Sequence, residues 1–172
     1  MTEKGYVQVF CGNGEGKSSA AIGKGILSAI DGNQVIVVQF MKEKNDNESR
    51  FFQRLEPEIK LFRFEKMEIC FNDLSEDEKR EEITNMRNGL NYAKKVLVTG
   101  ECDVLILDEV LALVNEGIIE CEELYPILDA RSDDTIIIMT GRIMPEKLKD
   151  YVDYVSNIEA CLLYTSPSPR DS

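Results

Sequence analysis

The chain has 172 residues, enough for one domain, and 43% hydrophobic residues to fill a core. Lys and Arg number 20 against 32 Asp and Glu, and a net charge of -12 argues against a nucleic-acid or anionic-membrane surface, both of which attract basic patches. Histidine is absent, which removes Ser-His and Cys-His dyads and every histidine-ligated metal site.

In chain order, Tyr6–Phe10 reads as a short strand of β-branched and aromatic residues ending in a glycine cluster. A helix over Ser18–Ile30 follows, closed by Asp31-Gly32-Asn33. Val35–Phe40 is nearly continuous and apolar, the pattern of a strand buried on both faces of a parallel sheet. Lys42–Ser49 reads as a polar loop and Ile59–Phe64 as a third strand. Ser75 is placed to cap a long amphipathic helix with an acidic first turn that runs toward Val98. Val104–Leu107 and Thr135–Met139 read as buried strands separated by a helix over Glu120–Ala130. Pro145 opens a short helix to Asp150, and Val152–Ile158 makes a last edge strand. No internal repeat interrupts this alternation. Strands separated by helices predict an α/β fold: a doubly wound, mostly parallel sheet in a three-layer α/β/α arrangement. Ligands then bind beyond the carboxyl ends of the strands.

The last residues stand apart. Cys161–Ser172 reads CLLYTSPSPRDS, a switch to Ser and Pro. CLLYTSPSPRD resembles the translation of a common transposase sequencing adapter, so residues 161–172 are set aside as a read-through scar, expected to be disordered. The same composition suits a natural disordered tail. The domain is taken as residues 1–160, and the natural gene is expected to continue past Ala160. No apolar run is long enough to span a bilayer, and the start lacks a signal-peptide pattern. Five scattered cysteines suit reduced thiols, so a cytoplasmic location is expected.

The first strand end carries Gly12-Asn13-Gly14-Glu15-Gly16-Lys17-Ser18-Ser19. Between a strand and a helix this is a phosphate-binding loop of the P-loop kind. Residues without Cβ let backbone N–H groups turn inward as an anion nest, and the helix N-terminus adds positive charge. Lys17 is placed to reach the outer phosphates and Ser18 to ligate Mg²⁺. The usual pattern begins with glycine where this chain has Cys11, which reads best as a small buried filler. A second strand end, Leu105-Ile106-Leu107-Asp108-Glu109, delivers two carboxylates, with Asp108 the better metal-side acid. A third, Thr140-Gly141-Arg142, offers Arg142 to phosphate or substrate, or as a cap on a neighbouring carbonyl. Gln39, Phe40 and Lys42 surround the same crevice, while Glu76–Glu82 reads as a solvated helix face.

Taken together, GNGEGKSSAA, VIVVQFMK, VLILDEV and IIIMTGR, in this order and spacing across residues 5–160, resemble the P-loop type ATP:corrinoid adenosyltransferases. These share a shortened loop with a small residue where Cys11 stands. The resemblance implies transfer of the 5′-deoxyadenosyl group of ATP to Co(I) of a corrinoid, with release of triphosphate, in cobalamin biosynthesis or salvage. It implies Lys17, Asp108 and Glu109 as catalytic residues and Ser18 and Asp108 as Mg²⁺ ligands. Substrate contacts are implied for Gly12, Asn13, Gly14, Gly16, Lys17, Ser18, Ser19, Gln39, Lys42, Phe71 and Arg142. Co(I) is an intense nucleophile, so the reaction needs no general base and suits a chain without histidine. The family binds ATP in reversed orientation across the loop. A reduced flavoprotein as electron donor and a homodimeric state are also implied.

Three departures accompany the resemblance. Glu15 stands where the family prefers lysine, which predicts weaker ATP binding unless its side chain faces solvent. The segment Arg63–Leu74 corresponds to a corrinoid-facing loop that usually carries tryptophan, and here only Phe71 and Phe64 are available. The leading segment that caps the site in longer relatives is also not seen. Two other readings remain at this stage: a P-loop kinase or ATPase with Glu109 as base, and a non-catalytic nucleotide- or corrinoid-binding module.

Overall fold

Apolar runs of five residues are too short to hide in a helix bundle but match one layer of a sheet covered on both sides. In the computed structural model, which describes residues 4–41 and 46–163, they do form that layer. The strands are β1 (Val7–Cys11), β2 (Val35–Gln39), β3 (Ile59–Arg63), β4 (Val104–Asp108), β5 (Ile136–Thr140) and β6 (Tyr154–Asn157). They form one six-stranded sheet in the order β3-β2-β4-β5-β1-β6, with every pair parallel. All five residues of β1, β2 and β4 are buried, whereas β6 is an exposed edge.

Alternation along the strands divides the core into two faces. Val35, Val37, Val104, Ile106 and Ile138 point to one side, where they meet α1 (Lys17–Ile30) through Ala21 and α2 (Asp46–Gln53) through Phe52. Val38, Phe40, Leu105, Leu107, Ile137 and Met139 point to the other, against α3 (Glu76–Thr99), α4 (Val110–Asn115) and α5 (Tyr125–Asp129). Burying each such side chain contributes about 1.5–3 kcal/mol. α3 starts on a capping box: the Glu78 amide donates to Ser75 Oγ at 3.3 Å and the Ser75 amide to Glu78 Oε1 at 3.1 Å. It ends at Gly100, φ 70°.

Several segments differ from the sequence expectation. Within Lys42–Ser49, α2 begins at Asp46; its acidic first turn and the apolar anchor Phe52 make it a helix that β3 stabilises by packing. Lys42 itself lies outside the described residues. The helix expected over 120–130 splits into a 3-10 turn, Cys121–Leu124, and α5, because Pro126 cannot donate the next helical hydrogen bond. The segment after Pro145 is likewise a 3-10 turn, Glu146–Tyr151. α4 was not expected; it starts directly after Glu109. Glu82 is not on a solvated face: it is 3% exposed and accepts hydrogen bonds from the Lys66 amide and the Asn85 side chain. Among the described residues no helix is long and apolar enough to cross a membrane.

Because all strands run the same way, the carboxyl ends of β1, β2, β4 and β5 share one edge. That edge brings the glycine loop, Gln39, Asp108 and Thr140 together from four distant stretches of chain.

Candidate active site

The loop between β1 and α1 is pinned from behind. The Gly12 amide donates to the Arg142 carbonyl at 2.8 Å and the Gly14 amide to the Ile158 carbonyl at 2.8 Å. Gly12 has φ +108°, and a Cβ there would lie 2.1 Å from the Ile158 carbonyl oxygen. Gly16 has φ +106° and forms the left-handed entry to α1. Glycine is required at both places, at Gly12 for space and conformation and at Gly16 for conformation alone. Gly12 and Gly14 are buried, Lys17 and Ser18 half-buried, and Asn13, Gly16 and Ser19 exposed. The first-turn amides of α1 have no intrahelical acceptor, which makes this end suited to an anion. Lys17 Nζ donates to the Gly14 carbonyl at 2.9 Å and so arches over the loop.

Asp108 closes the floor of this site. Its position on β4 puts it on the α1 side of the sheet, fully buried. Ser18 Oγ donates to Asp108 Oδ1 at 2.7 Å and Thr140 Oγ1 to the same oxygen at 2.8 Å. Gln39 Nε2 lies 3.5 Å from Asp108 Oδ2 and donates to Glu48 Oε1 at 2.9 Å. The hydroxyl of Ser18 spends its proton on Asp108, which leaves its lone pairs available to a hard cation. Among the described residues no group of three or more His, Cys, Asp or Glu side chains converges to hold a metal alone. Mg²⁺ needs no such cage: one or two protein oxygens plus substrate phosphates suffice, and Ser18 with Asp108 fit that description.

Other expected residues divide. Glu15 is exposed, the condition under which its charge interferes least with an anion in the loop. Arg142 reaches the loop through its backbone carbonyl, while its side chain is exposed. Asn13 Oδ1 accepts from the Ala160 amide at 3.2 Å. Cys11 is buried, and burial pushes its thiol up against weaker lowering by the Met144 backbone and Lys17, so it stays a protonated filler.

A second cavity of about 260 Å³ opens on the other face of β4. Met67, Ile69, Phe71 and Leu74 form its apolar wall, and Arg63, Glu65, Glu82 and Glu109 are among its polar groups. Asp108 and Glu109 are neighbours in sequence, yet Asp108 is buried against Ser18 and Thr140 on the α1 side while Glu109, at φ 62°, lines this cavity. Phe71 lines the cavity, while Phe64 packs on Tyr92 at 5.4 Å between ring centres. Glu65 Oε1 accepts from the Met41 amide at 2.7 Å. Burial raises its carboxyl to about 7, opposed by the Met41 hydrogen bond and Arg63 and aided by Glu82.

Sequence reasoning had assigned no role to Thr140, Glu48, Glu65 or Glu82. Glu82 was detectable, since it lies four residues before Met86 on the buried stripe that continues through Leu90, Ala93 and Leu97. Thr140 was visible at a strand end; Glu48 and Glu65 carry no local signal.

A parallel α/β sheet with a glycine loop after its first strand and a carboxylate at the end of β4 defines a P-loop nucleotide-binding protein. The fold is similar to that of a KaiC-like protein from the hyperthermophilic archaeon Pyrococcus horikoshii, with TM-score 0.58 and 15% identity over 94% of this chain and 76% of the other. The sequence matches the family ATP:corrinoid adenosyltransferase BtuR/CobO/CobP over residues 3–165, and the chain belongs to that family. It is 32% identical over 157 residues to "Corrinoid adenosyltransferase CobA" of Salmonella typhimurium, covering 91% of this chain and 77% of the relative. With "Corrinoid adenosyltransferase" of Escherichia coli K12 the identity is 30% over 156 residues, with the same coverage. The Pseudomonas aeruginosa protein of that name is 29% identical, covering 81% of this chain and 68% of its own length. Membership supports an adenosyl-transferring enzyme over a kinase or ATPase.

Proposed function

We propose that this chain carries the 5′-deoxyadenosyl group of ATP onto Co(I) of a corrinoid, with triphosphate leaving from C5′. The observation that supports it most is the 2.7 Å contact between Ser18 Oγ and Asp108 Oδ1 at the foot of the glycine loop. It joins the end of one strand to the first turn of a helix, where a triphosphate and its divalent ion need both an anion nest and an oxygen donor.

In this reading Ser18 and Asp108 hold Mg²⁺, which when bound neutralises charge on the leaving triphosphate. The amides of Asn13 and of Glu15 to Ser19 orient the phosphates, while those of Gly12 and Gly14 hold the loop to the Arg142 and Ile158 carbonyls, and Lys17 adds a cation. Asn13, Gln39 and Arg142 border the nucleotide; Lys42 is assigned with them from sequence alone. The cavity lined by Phe71 takes an edge of the corrinoid, which its apolar wall shields from water. The cobalt lone pair forms the new Co–C bond as the C5′–O bond breaks, and its electrons leave with triphosphate. No proton is transferred, so Glu109 borders the reacting groups without acting as a base. What the chain contributes is alignment and charge compensation. From the family we extend to this chain a reduced flavoprotein as electron donor, a homodimeric state, a cytoplasmic location and a role in cobalamin biosynthesis or salvage.

The test is incubation with Mg·ATP and a chemically reduced corrinoid. A light-sensitive adenosylated product with stoichiometric triphosphate is expected. ADP and phosphate would overturn the reading in favour of a kinase or ATPase, and binding without turnover would favour a non-catalytic module.

A further inference from the structure

Asp108, which bonds Ser18 at the foot of the glycine loop, and Glu109, which lines the second cavity, are joined by a single peptide bond. One hydroxyl holds both sides of it. Thr140 is fully buried at the end of β5. Its Oγ1 donates to Asp108 Oδ1 at 2.8 Å and accepts from the Glu109 amide at 2.7 Å. A threonine hydroxyl has one proton and two lone pairs, so both bonds can exist together, and the proton is committed to the carboxylate. The second bond is made where the backbone is least comfortable, at Glu109, a non-glycine residue with φ 62°. Glu109 lines the cavity of Phe71, while Asp108 bonds Ser18 on the other face of the sheet.

We propose that Thr140 is a positioning residue that couples the nucleotide site to the second cavity, by fixing the Asp108 carboxylate and the Glu109 turn with the same oxygen. The inference rests on Asp108 being the metal-side acid of the proposed reaction. Adjacent strands support it: β4 and β5 pair in register up to Leu107 and Met139, so Thr140 arrives directly beside Asp108. Without the hydroxyl, the buried carboxylate loses a donor and the Glu109 amide loses its acceptor, and the turn has less to hold it. Both sites should then weaken together, although Thr140 is assigned no contact with either substrate.

The test compares Thr140→Val, which keeps the shape and deletes the hydroxyl, with Thr140→Ser, which keeps the hydroxyl. Mg·ATP affinity is measured by calorimetric titration without corrinoid, and the KM for reduced corrinoid is measured at saturating ATP. Losing a hydrogen bond to a charged group predicts about a tenfold or greater weakening of Mg·ATP binding in T140V, as expected for such bonds. Corrinoid KM should rise in the same variant, and T140S should stay within about twofold of the parent on both, since it retains the bonding group. If T140V does not fold, Thr140→Ala against Thr140→Ser isolates the same hydroxyl. Unchanged affinity and KM in the hydroxyl-free variant would overturn the coupling and leave the adenosyltransferase reading intact, as would T140S as impaired as T140V. A parent chain with no affinity for Mg·ATP would overturn both.

Discussion

The glycine loop and the cavity beside Phe71 lie on opposite faces of β4 and are built in contrasting ways. The loop is eight consecutive residues held by bonds from the Gly12 and Gly14 amides to the Arg142 and Ile158 carbonyls, and the groups proposed to meet phosphate are mainly its other main-chain amides. The cavity draws on β3, the segment behind it, α3 and α4, and its chemistry lies in side chains. A main-chain site tolerates little change at its glycines and much at its exposed side chains. A side-chain site should respond residue by residue, with graded effects.

The largest expected effect tests the first half of that contrast. Lys17→Ala should lower kcat/KM for ATP by about 10²–10³-fold, the usual scale for losing a charge-stabilising group, as read by steady-state kinetics. Unchanged turnover would remove the loop from the chemistry. Next come the glycines. Gly12→Ala meets the Ile158 carbonyl oxygen at 2.1 Å as well as an unfavourable φ, while Gly16→Ala meets nothing within 4 Å. Gly16→Ala should therefore cost about 1–3 kcal/mol from backbone strain alone. Thermal melting should place Gly12→Ala well below it; equal loss would mean that the contact at Ile158 is not what makes the loop intolerant.

Smaller effects belong to the cavity. Phe71→Ala should raise corrinoid KM by about 5- to 10-fold, typical of truncating a central aromatic contact, and leave ATP KM within about twofold. A change in ATP KM instead would mean that the two regions are not separable in this way. The smallest effect is on stability. The Glu65 carboxyl is raised from its ordinary 4.5 to about 7 by burial. The folded state then holds this proton more tightly than the unfolded chain, so this group's contribution to stability falls as pH rises from about 4.5 to 7. Glu65→Gln keeps an acceptor for the Met41 amide and cannot ionise. Relative to the parent it should gain stability progressively across that window, measured by denaturant unfolding. A difference that does not vary with pH would mean that Glu65 does not titrate in this range.

Much of the nucleotide side was legible in the sequence because its signals are local. Gly12 to Ser18 lie between an apolar strand and a helix, and Asp108 ends an apolar run. Buried strands are uniformly apolar and their ends are abrupt, so the carboxyl edge could be placed without knowing the strand order. The cavity side was legible only in part. Phe71 and Arg63–Leu74 came from family resemblance, and the structure puts Phe71 at the cavity and Phe64 against Tyr92. Glu82 was misplaced because a run of acids at the start of α3 masked its position on the buried stripe. α2 was missed because its polar composition suits a loop, and its acidic first turn is joined to the fold by Phe52 packing against the sheet.

Composition, order and spacing by themselves determined a parallel α/β chain with a glycine loop after its first strand and an acid at the end of a buried strand, because hydrophobic period and glycine placement act over a few residues. Tertiary structure decided that Asp108 bonds Ser18 while Glu109 lines the second cavity, that Thr140 holds them both, that Glu82 is buried and that Glu65 is half-buried. Those facts depend on strand order, on one left-handed backbone angle and on desolvation by distant elements, none of which neighbouring residues encode.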